Sequence, residues 1–278
     1  MIPDIFHFVF GMAADFGGRP FGLPHYLAIR SAAEVNRPAT IYFHYEFEPT
    51  GPWWEKTKPL LTLNKIKAPT EFMGRKLYHV AHQSDVVRLQ ALQQTGGIYL
   101  DADTISVKPL HELYNHSCII GQELKPDYQP KNWRQRYKYA IRNFFHLISN
   151  NKVNGLCNAV LLAEKDSAFI ELWLNSYASF RSKGKDKYWN EHSVFMPIKL
   201  AKLYPELVTL LAPTAFHWPL YNTSGLQDMF EKKVEFPDAY VHHLWESFSW
   251  DKYLGQLTVK DIIEMDSTYN CFARKYLS

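Results

Sequence analysis

Runs of apolar residues alternate along the chain with segments whose apolar positions recur at helical spacing. Residues 5–10 are apolar apart from one histidine and predict a buried central strand of parallel type. Residues 41–47 alternate and predict a second strand. Other apolar runs predict strands at 76–80, 98–100, 117–122, 156–163 and 207–212, and amphipathic segments predict helices at 23–36, 53–63, 82–94, 131–145, 166–181 and 191–204. This order is typical of an α/β sheet, in which ligands bind beyond the carboxyl ends of the strands.

Residues 96–104 place two carboxylates at the end of a short apolar strand. Two glycines end the preceding helix, residues 98–100 form the strand, and Asp101 and Asp103 flank the small Ala102. Carboxylates at a buried strand end are costly unless a positive charge neutralises them. Their hard oxygen atoms suit magnesium or manganese, so the pair predicts a divalent cation site.

The helix just upstream carries a second pair of charges. Ser84 is the predicted N-cap of this helix, and Val86, Leu89 and Leu92 recur at the spacing of a core-facing stripe. Asp85 and Arg88 are three residues apart and therefore share a face. They are either a capping acid with a surface arginine, or a hydroxyl-binding carboxylate beside a cation that clamps sugar or phosphate.

Composition excludes several classes of function. The net charge of +3 over 278 residues gives no sign of nucleic-acid binding. The three cysteines are few and widely spaced, which predicts neither a disulfide framework nor a zinc site and favours a reducing compartment. No apolar run reaches the length of a membrane span, and the N-terminus lacks the pattern of a signal peptide. We therefore expect a cytoplasmic protein.

Three segments together resemble the signature of the DXD-containing sugar transferases: Ser84-Asp85-x-x-Arg88, Gly96-Gly97-x-Tyr99-x-Asp101-x-Asp103, and the opening strand at 2–11. That group includes bacterial capsule and lipo-oligosaccharide transferases, Golgi initiating mannosyltransferases and the catalytic domains of large glucosylating toxins. The resemblance implies a single GT-A domain over 1–278, with a Rossmann-like mixed sheet flanked by helices. Residues 1–122 would form the half that binds the nucleotide sugar, and residues 123–278 the acceptor side.

The resemblance also assigns individual residues to the donor site. Val9 and Phe10 fall where the family holds the nucleotide base, and Tyr99 falls where it contacts the nucleotide or sugar. Asn158 matches an asparagine near the donor sugar. The plainer alternative is that Phe10 and Tyr99 are core aromatics and that Asn158 is a buried amide with its own partners. His7 is expected to be a core histidine with satisfied hydrogen bonds.

The late segment 240–250 resembles the His-x-Trp ending of several family members, carried here by His243 and Trp245. The resemblance implies that His243 completes the metal shell and that Trp245 covers the diphosphate as part of a lid. Side chains alternate along a strand, so His242 and His243 would point to opposite faces and only one can reach the site. The alternative is that both are ordinary residues of a late strand.

The activity implied by the resemblance is metal-dependent sugar transfer. Asp101 and Asp103 would hold Mn²⁺ or Mg²⁺, and Arg88 and Asp85 would fix the phosphates and sugar of a nucleotide sugar. A UDP-sugar is favoured, with GDP-mannose second. The acceptor would be a saccharide or glycolipid of surface polysaccharide or oligosaccharide biosynthesis, and the transfer would retain the anomeric configuration. The residues do not identify a catalytic base, and Glu191 and Glu246 stay unassigned.

Three other functions remain open at this point. A nucleotidyltransferase also uses paired acids, a metal and a nucleotide sugar, but normally has a glycine-rich basic loop after its first strand, of which 17–19 is only a faint echo. An effector-type transferase would glycosylate a protein. A carbohydrate-binding protein without catalysis would not need the intact acids and Arg88.

The most basic stretch of the chain is 131–145, where aromatic and basic side chains form adjacent stripes on a predicted helix. Such a helix can lie on an anionic membrane surface, which would place the protein peripherally at the inner membrane face. It can equally pack on the core and expose its basic side to solvent.

Overall fold

The structure, a computed structural model, describes residues 1–124 and 153–277. Its strands are β1 Ile5–Val9, β2 Thr40–Tyr45, β3 Thr62–Lys65, β4 Glu71–Phe72, β5 Arg75–Lys76, β6 Gly97–Leu100, β7 Thr104–Ser106, β8 Cys118–Leu124, β9 Val153–Ala163, β10 Thr209–Leu211 and β11 Val241–His243. Its helices are α1 Leu23–Asn36, α2 Pro52–Thr57, α3 Val80–Thr95, α4 Ala168–Ser176, α5 Met196–Leu203, α6 Pro213–Phe216, α7 Thr223–Phe230, α8 Glu246–Ser249, α9 Val259–Glu264 and α10 Thr268–Ala273.

Seven strands form one mixed sheet in the order β10-β8-β9-β6-β1-β2-β3. β1 is an interior strand next to the middle strand β6 and pairs in parallel with both β2 and β6, as predicted from its apolar run. β9 runs antiparallel between β6 and β8. The sheet therefore draws strands from both predicted halves of the chain, and the α/β mixed-sheet prediction is confirmed.

Alternating side chains of β1 serve two hydrophobic layers, one on each face of the sheet. Phe6 and Phe8 pack on the face covered by α1 and the C-terminal helices. Val9 packs on the opposite face, against α3 and α4. Because both faces are covered, the strand reads as a nearly continuous apolar run rather than as a polar–apolar alternation.

Three local predictions were wrong at least in part. α3 begins at Val80, not at Ser84, because the side chain of His79 accepts a hydrogen bond from the backbone N–H of Ala81 and caps the helix one turn earlier. The helix predicted at 53–63 is present as α2 and a 3₁₀ turn at Lys58–Leu60, but its last two residues belong to β3, a largely exposed edge strand parallel to β2. The strand predicted at 76–80 is reduced to the two-residue β5, which pairs with the equally short β4.

Other elements agree with the sequence but differ in length. The segment predicted as a helix at 166–181 buries Ile170, Trp173, Leu174 and Tyr177, although α4 ends at Ser176 and a 3₁₀ turn follows. The helix predicted at 191–204 starts with a π-helical turn at Glu191–Phe195 before α5. The basic stretch 131–145 lies outside the described residues. None of the described helices has the length and apolarity that a membrane span requires.

The buried imidazoles of His7 on β1 and His44 on β2 belong to one series of hydrogen bonds. This confirms that His7 is a core histidine whose hydrogen bonds are satisfied. Asn64 donates to His44 Nδ1 over 2.8 Å, His44 Nε2 lies 3.0 Å from His7 Nδ1, and His7 Nε2 lies 3.0 Å from the carbonyl oxygen of Gly96. If Asn64 donates to His44, His44 donates to His7 and His7 donates to Gly96, every hydrogen bond in the series is made with both rings neutral. Burial lowers the pKa of His7 to about 4 and that of His44 to about 3.

Stability should therefore fall on mild acidification. Both rings stay neutral in the folded protein while the unfolded chain binds protons below the ordinary pKa near 6.5, so the unfolded state gains protons first. As the pH falls from about 7.5 to about 5, each of the two histidines should lower the free energy of unfolding by about 2 kcal/mol. Urea unfolding of the wild type, His7→Gln and the exposed-site control His111→Gln measures this. His7→Gln should show a shallower pH slope than the other two, and three equal slopes would contradict the assignment.

Candidate functional site

A cleft of about 330 Å³ opens at the carboxyl ends of the central strands. β1 and β6 are adjacent and parallel, so Phe10 and Asp101 follow their strands at the same edge. β9 runs the other way and brings Asn158 to that edge. Every predicted site residue except Tyr99 lines the cleft, whose walls consist of Val9, Phe10, His25, Ala81, His82, Asp85, Arg88, Asp101, Ala102, Asp103, Asn158, Trp189, Asn190, Ser193, Val194, His243, Trp245, Glu246, Ser247 and Phe248.

Two glycines make the turn that delivers the acidic loop. Gly96 ends α3 with φ 67° and Gly97 begins β6 with φ 111°, both in the region that favours glycine. A Cβ at Gly97 would lie 2.2 Å from the carbonyl oxygen of Ile5, so a side chain there would push β6 away from β1. The close approach sets Asp101 beside the end of the central strand.

Arg88 is buried at the base of the cleft and is bound on several sides. Its guanidinium lies 3.0 Å from Asp101 Oδ1 and 3.3 Å from Asp85 Oδ1, and it donates to the carbonyl oxygen of Asn158 over 2.9 Å. Its guanidinium carbon lies 4.4 Å from the ring centroid of Tyr99. Arg88 therefore ties α3 to β6 and β9, and the surface-arginine alternative is wrong.

Asp85 and Asn158 form a polar pair next to this arginine. Asn158 Nδ2 donates to Asp85 Oδ1 over 2.7 Å, and both side chains are largely buried while still lining the cleft. Asp85 lies in the second turn of α3, since the helix starts at Val80, so it is not the capping acid that the sequence suggested. Its charge is balanced by Arg88, which leaves the pair able to hydrogen-bond hydroxyl groups of a ligand.

Asp103 faces His243 across two paired strands. β11 runs antiparallel to β7, with His243 opposite Thr104, and His243 Nε2 lies 3.3 Å from Asp103 Oδ2. Burial alone would raise the pKa of Asp103, but His243 and the backbone N–H of Glu246, which donates over 2.7 Å, lower it to about 2. Burial alone would lower the pKa of His243, and Asp103 instead holds it well above its usual value.

The alternation predicted for the two late histidines is present. His243 reaches the cleft, whereas His242 points away from it, where its Nδ1 lies 2.8 Å from the carbonyl oxygen of Trp218. Trp245 also lines the cleft, and its ring lies 4.1 Å from that of His243. Its indole N–H donates to the carbonyl oxygen of Pro219 over 2.9 Å, which anchors the ring at the cleft wall.

Asp101, Asp103 and His243 form a donor set that fits a divalent cation. One ligand atom from each lies within 4.8 Å of the other two. Burial raises the pKa of Asp101, and the neighbouring Asp103 adds to the rise, while Arg88 offsets it in part. Two carboxylates and one imidazole match the preferences of Mn²⁺ and Mg²⁺ for oxygen with room for one nitrogen.

Tyr99 does not line the cleft, and its predicted contact with substrate is corrected. Its side chain is buried behind the acidic loop, where the hydroxyl donates to Asp101 Oδ1. Phe10 lines the cleft and is only partly buried, with its ring packed against Phe16, Phe21 and His25. Tyr99 therefore supports Asp101 and Arg88 from below, while Phe10 offers an aromatic edge to the cleft.

Two further parts of the cleft were given no role from the sequence: Glu246, which stayed unassigned, and Trp189, which was not predicted. Glu246 lies 3.0 Å from both Arg19 Nη1 and His25 Nε2, so it joins the loop after β1 to the start of α8. Its place directly after the His-x-Trp ending was a usable signal. Trp189 lies on the opposite wall, packed against His82 at 4.6 Å between ring centroids, and a loop of mixed charge gave no hint of it.

The chain is similar to known glycosyltransferases in sequence and in fold. A family model described as a glycosyltransferase sugar-binding region containing a DXD motif matches residues 29–120. The chain is 35% identical over 283 residues to glucan organizing enzyme 1 of Cryptococcus neoformans var. grubii, covering 100% of this chain and 71% of that protein.

Two solved structures show similarity at low sequence identity. The apo-form glycosyltransferase GlyE of Streptococcus pneumoniae TIGR4 has a TM-score of 0.50 at 12% identity, over 99% of this chain and 60% of GlyE. Mouse xyloside xylosyltransferase 1 has a TM-score of 0.48 at 15% identity, over 87% of this chain and 98% of that chain.

The buried charges around Arg88 lead to a stability prediction. Arg88→Met should destabilise the fold by about 3–5 kcal/mol, because it leaves Asp85 and Asp101 without their cation. The matched control Arg181→Met removes an exposed ion pair with Glu191 and should leave the free energy of unfolding nearly unchanged, because solvent screens such a pair. Urea unfolding at neutral pH measures both. Adding Asp101→Asn to Arg88→Met should recover part of the loss, and similar small losses for both arginines would contradict the account.

Proposed function

Because the chain belongs to the DXD-containing glycosyltransferase family and has its GT-A fold, we propose that it transfers a sugar from a nucleoside diphosphate sugar to a saccharide or glycolipid acceptor. The observation that carries the proposal is the convergence of Asp101, Asp103 and His243 with the Arg88 cluster in one cleft. These groups come from four separate elements: α3, the loop after β6, β9 and β11.

The metal-binding residues in this proposal are Asp103 and His243, with Asp101 binding directly or through water. A divalent cation bound there would neutralise negative charge on the departing diphosphate. The main-chain N–H of Glu246 keeps Asp103 oriented, and the Tyr99 hydroxyl and Arg88 do the same for Asp101. The carboxylates are thus held in position before a ligand binds, which reduces the reorganisation required during the reaction.

Donor recognition is assigned to two parts of the cleft. Val9 and Phe10 lie near His25 and form the nucleoside end. Asp85 and Asn158 accept and donate hydrogen bonds to the sugar hydroxyls, and Arg88 acts mainly by holding Asp85 and Asp101 in place rather than by reaching the phosphates itself. Uracil is our first choice of base, since the motif resembles that of the UDP-dependent toxins, and GDP-mannose is the second donor to test.

Retention of configuration needs no protein base. The anomeric C–O bond to the diphosphate breaks, the acceptor oxygen bonds to the same face of the sugar, and the acceptor proton passes to the departing phosphate oxygen. Glu246 is a poor candidate base because Arg19 and His25 already bind its carboxylate. The acceptor would enter along Trp189, whose ring can stack on a pyranose. The name of the fungal relative places a glucan first among the acceptors to test.

A nucleotidyltransferase is the rival of a different class, and the loop after β1 argues against it. In such enzymes a basic glycine-rich loop must be available to bind phosphates. Here Arg19 is engaged by Glu246 at 3.0 Å, and the preceding 3₁₀ turn Phe16–Gly18 is capped by Asp15. The two activities release different products, so one assay separates them.

A panel of nucleotide sugars with Mn²⁺ tests the proposal. We expect one donor, a UDP-sugar first, to yield free nucleoside diphosphate, and we expect Asp103→Asn to lower the rate by at least about 10²-fold, as loss of a charged transition-state contact does. The fold should survive, because the asparagine oxygen can still accept from Glu246. Asp186→Asn, at an exposed loop carboxylate, is the control and should keep full activity.

Two results would contradict the proposed sugar transfer. Release of pyrophosphate would indicate nucleotidyl transfer, and wild-type turnover in Asp103→Asn would remove the acidic loop from the chemistry.

A further inference from the structure

A second cluster of metal-binding side chains lies directly behind the acidic loop. It consists of Cys157 on β9, His217 just after α6, and His243 on β11, and one ligand atom from each lies within 4.8 Å of the other two. Cys157 and His217 do not line the cleft, so His243 is the residue that the two clusters share. The cysteine spacing along the chain gave no sign of it, since its ligands come from three distant segments.

His217 is the most unusual member of this cluster. Its side chain is fully buried, and within the residues that the structure describes neither ring nitrogen makes a hydrogen bond of good geometry, although the main chain of Cys157 lies near the ring. A buried imidazole without partners is costly, so such a ring normally has a ligand to bind. Burial lowers the pKa of His217 well below its usual value, and the nearby main chain of Cys157 offsets this only in part.

The imidazole of His217 fits against the sheet because position 121 on β8 is a glycine. Gly121 on β8 lies opposite Cys157 on β9. A Cβ at Gly121 would lie 2.8 Å from both Nε2 and Cδ2 of His217. Any larger residue would displace the imidazole from its place over Cys157. The position of the ring is therefore built into the strand pairing.

His243 presents a different nitrogen to each cluster. Nε2 faces Asp103, whereas Nδ1 is buried and has no partner among the described residues. Cys157 is nearly fully buried and its thiol lies close to the His243 ring. The free nitrogen of His243, the thiol and the His217 imidazole therefore surround one small volume.

We propose that Cys157, His217 and His243 form a binding site for a thiophilic divalent metal, with Zn²⁺ the best fit. One thiolate with two imidazoles is a zinc donor set, and it differs from the oxygen-rich set preferred by Mn²⁺ and Mg²⁺. Zinc–ligand bonds of about 2.0–2.3 Å put ligand atoms about 3.5 Å apart, so the side chains need to move by about 1 Å at most. Binding releases the thiol proton of Cys157 and the Nδ1 proton of His243.

The shared histidine makes the two sites antagonistic. A metal on Nδ1 of His243 leaves the remaining ring proton on Nε2, which then donates to Asp103 and cannot bind a second cation. Zinc in the inner site therefore removes one ligand from the Mn²⁺ site in the cleft, and linkage requires the effect to be reciprocal. This antagonism rests on the proposed function, whereas the inner site itself does not.

Co²⁺ is the probe for the inner site because cobalt–thiolate bonds absorb in the near ultraviolet. Titration of the metal-free protein with Co²⁺ should produce this charge-transfer band at one equivalent. Cys157→Ser should abolish it, and His217→Asn should weaken binding by at least about tenfold, since loss of even an outer-shell partner of a metal ligand costs about that much. Cys271→Ser removes a cysteine outside the cluster and should leave the band unchanged.

The antagonism is measured by the paramagnetic resonance signal of free Mn²⁺, without any sugar donor. One equivalent of Zn²⁺ should weaken Mn²⁺ binding to the wild type by at least about fivefold, the lower range of typical coupling between sites. The effect should vanish in His217→Asn, which keeps His243.

Absence of the charge-transfer band in folded wild-type protein would overturn the inner site, as would an unchanged band in Cys157→Ser. If Cys157→Ser does not fold, unchanged Co²⁺ affinity in His217→Asn overturns it equally. A band without antagonism would keep the inner site and refute the shared use of His243. Neither readout depends on sugar transfer, so failure of the proposed function would be seen separately.

Discussion

The burial of the Arg88 guanidinium among Asp85, Asp101 and the main chain of Asn158 is the constraint on which the cleft depends. These contacts join one helix to two strands of opposite direction. Each acid would be costly at a buried strand end by itself, and the arginine would be equally costly without them. Together they form a charge cluster that fixes the acidic loop in place. Asp103 at the other end of the loop is held in the same way by His243 and by the backbone of Glu246.

These two arrangements divide the site into a rigid part and a part that can respond to ligands. Asp101 is restrained by Arg88 and Tyr99, so its carboxylate has little freedom. Asp103 and His243 are restrained mainly by each other, and the other nitrogen of His243 faces Cys157 and His217. The histidine thus lies where a cation in the cleft and a metal behind it would compete. The charge cluster around Arg88 would be the same whichever metal binds. The ring of His243 would serve as a ligand either to the cation in the cleft or to the metal behind it.

The sequence predicted the centre of the molecule better than its edges. The strands around β1 were recognisable because burial on both faces leaves continuous apolar runs. The acidic loop was recognisable because its two glycines, short strand and two acids together match a known family motif. β3 was missed because an exposed edge strand has no such run. The start of α3 was misplaced because a histidine, not a serine, caps it. The positions of Trp189 and His217 depend on packing between segments that are distant in the chain. The local sequence pattern therefore could not predict them.

Anomalous X-ray diffraction at the manganese edge, from crystals grown with Mn²⁺ and UDP, tests the central claim most directly. The account predicts one strong anomalous peak bounded by Asp101, Asp103 and His243, with both phosphates of UDP next to it and the uracil near Val9 and Phe10. UDP bound in the cleft without manganese at these three residues, or manganese bound at another place on the protein, would contradict it.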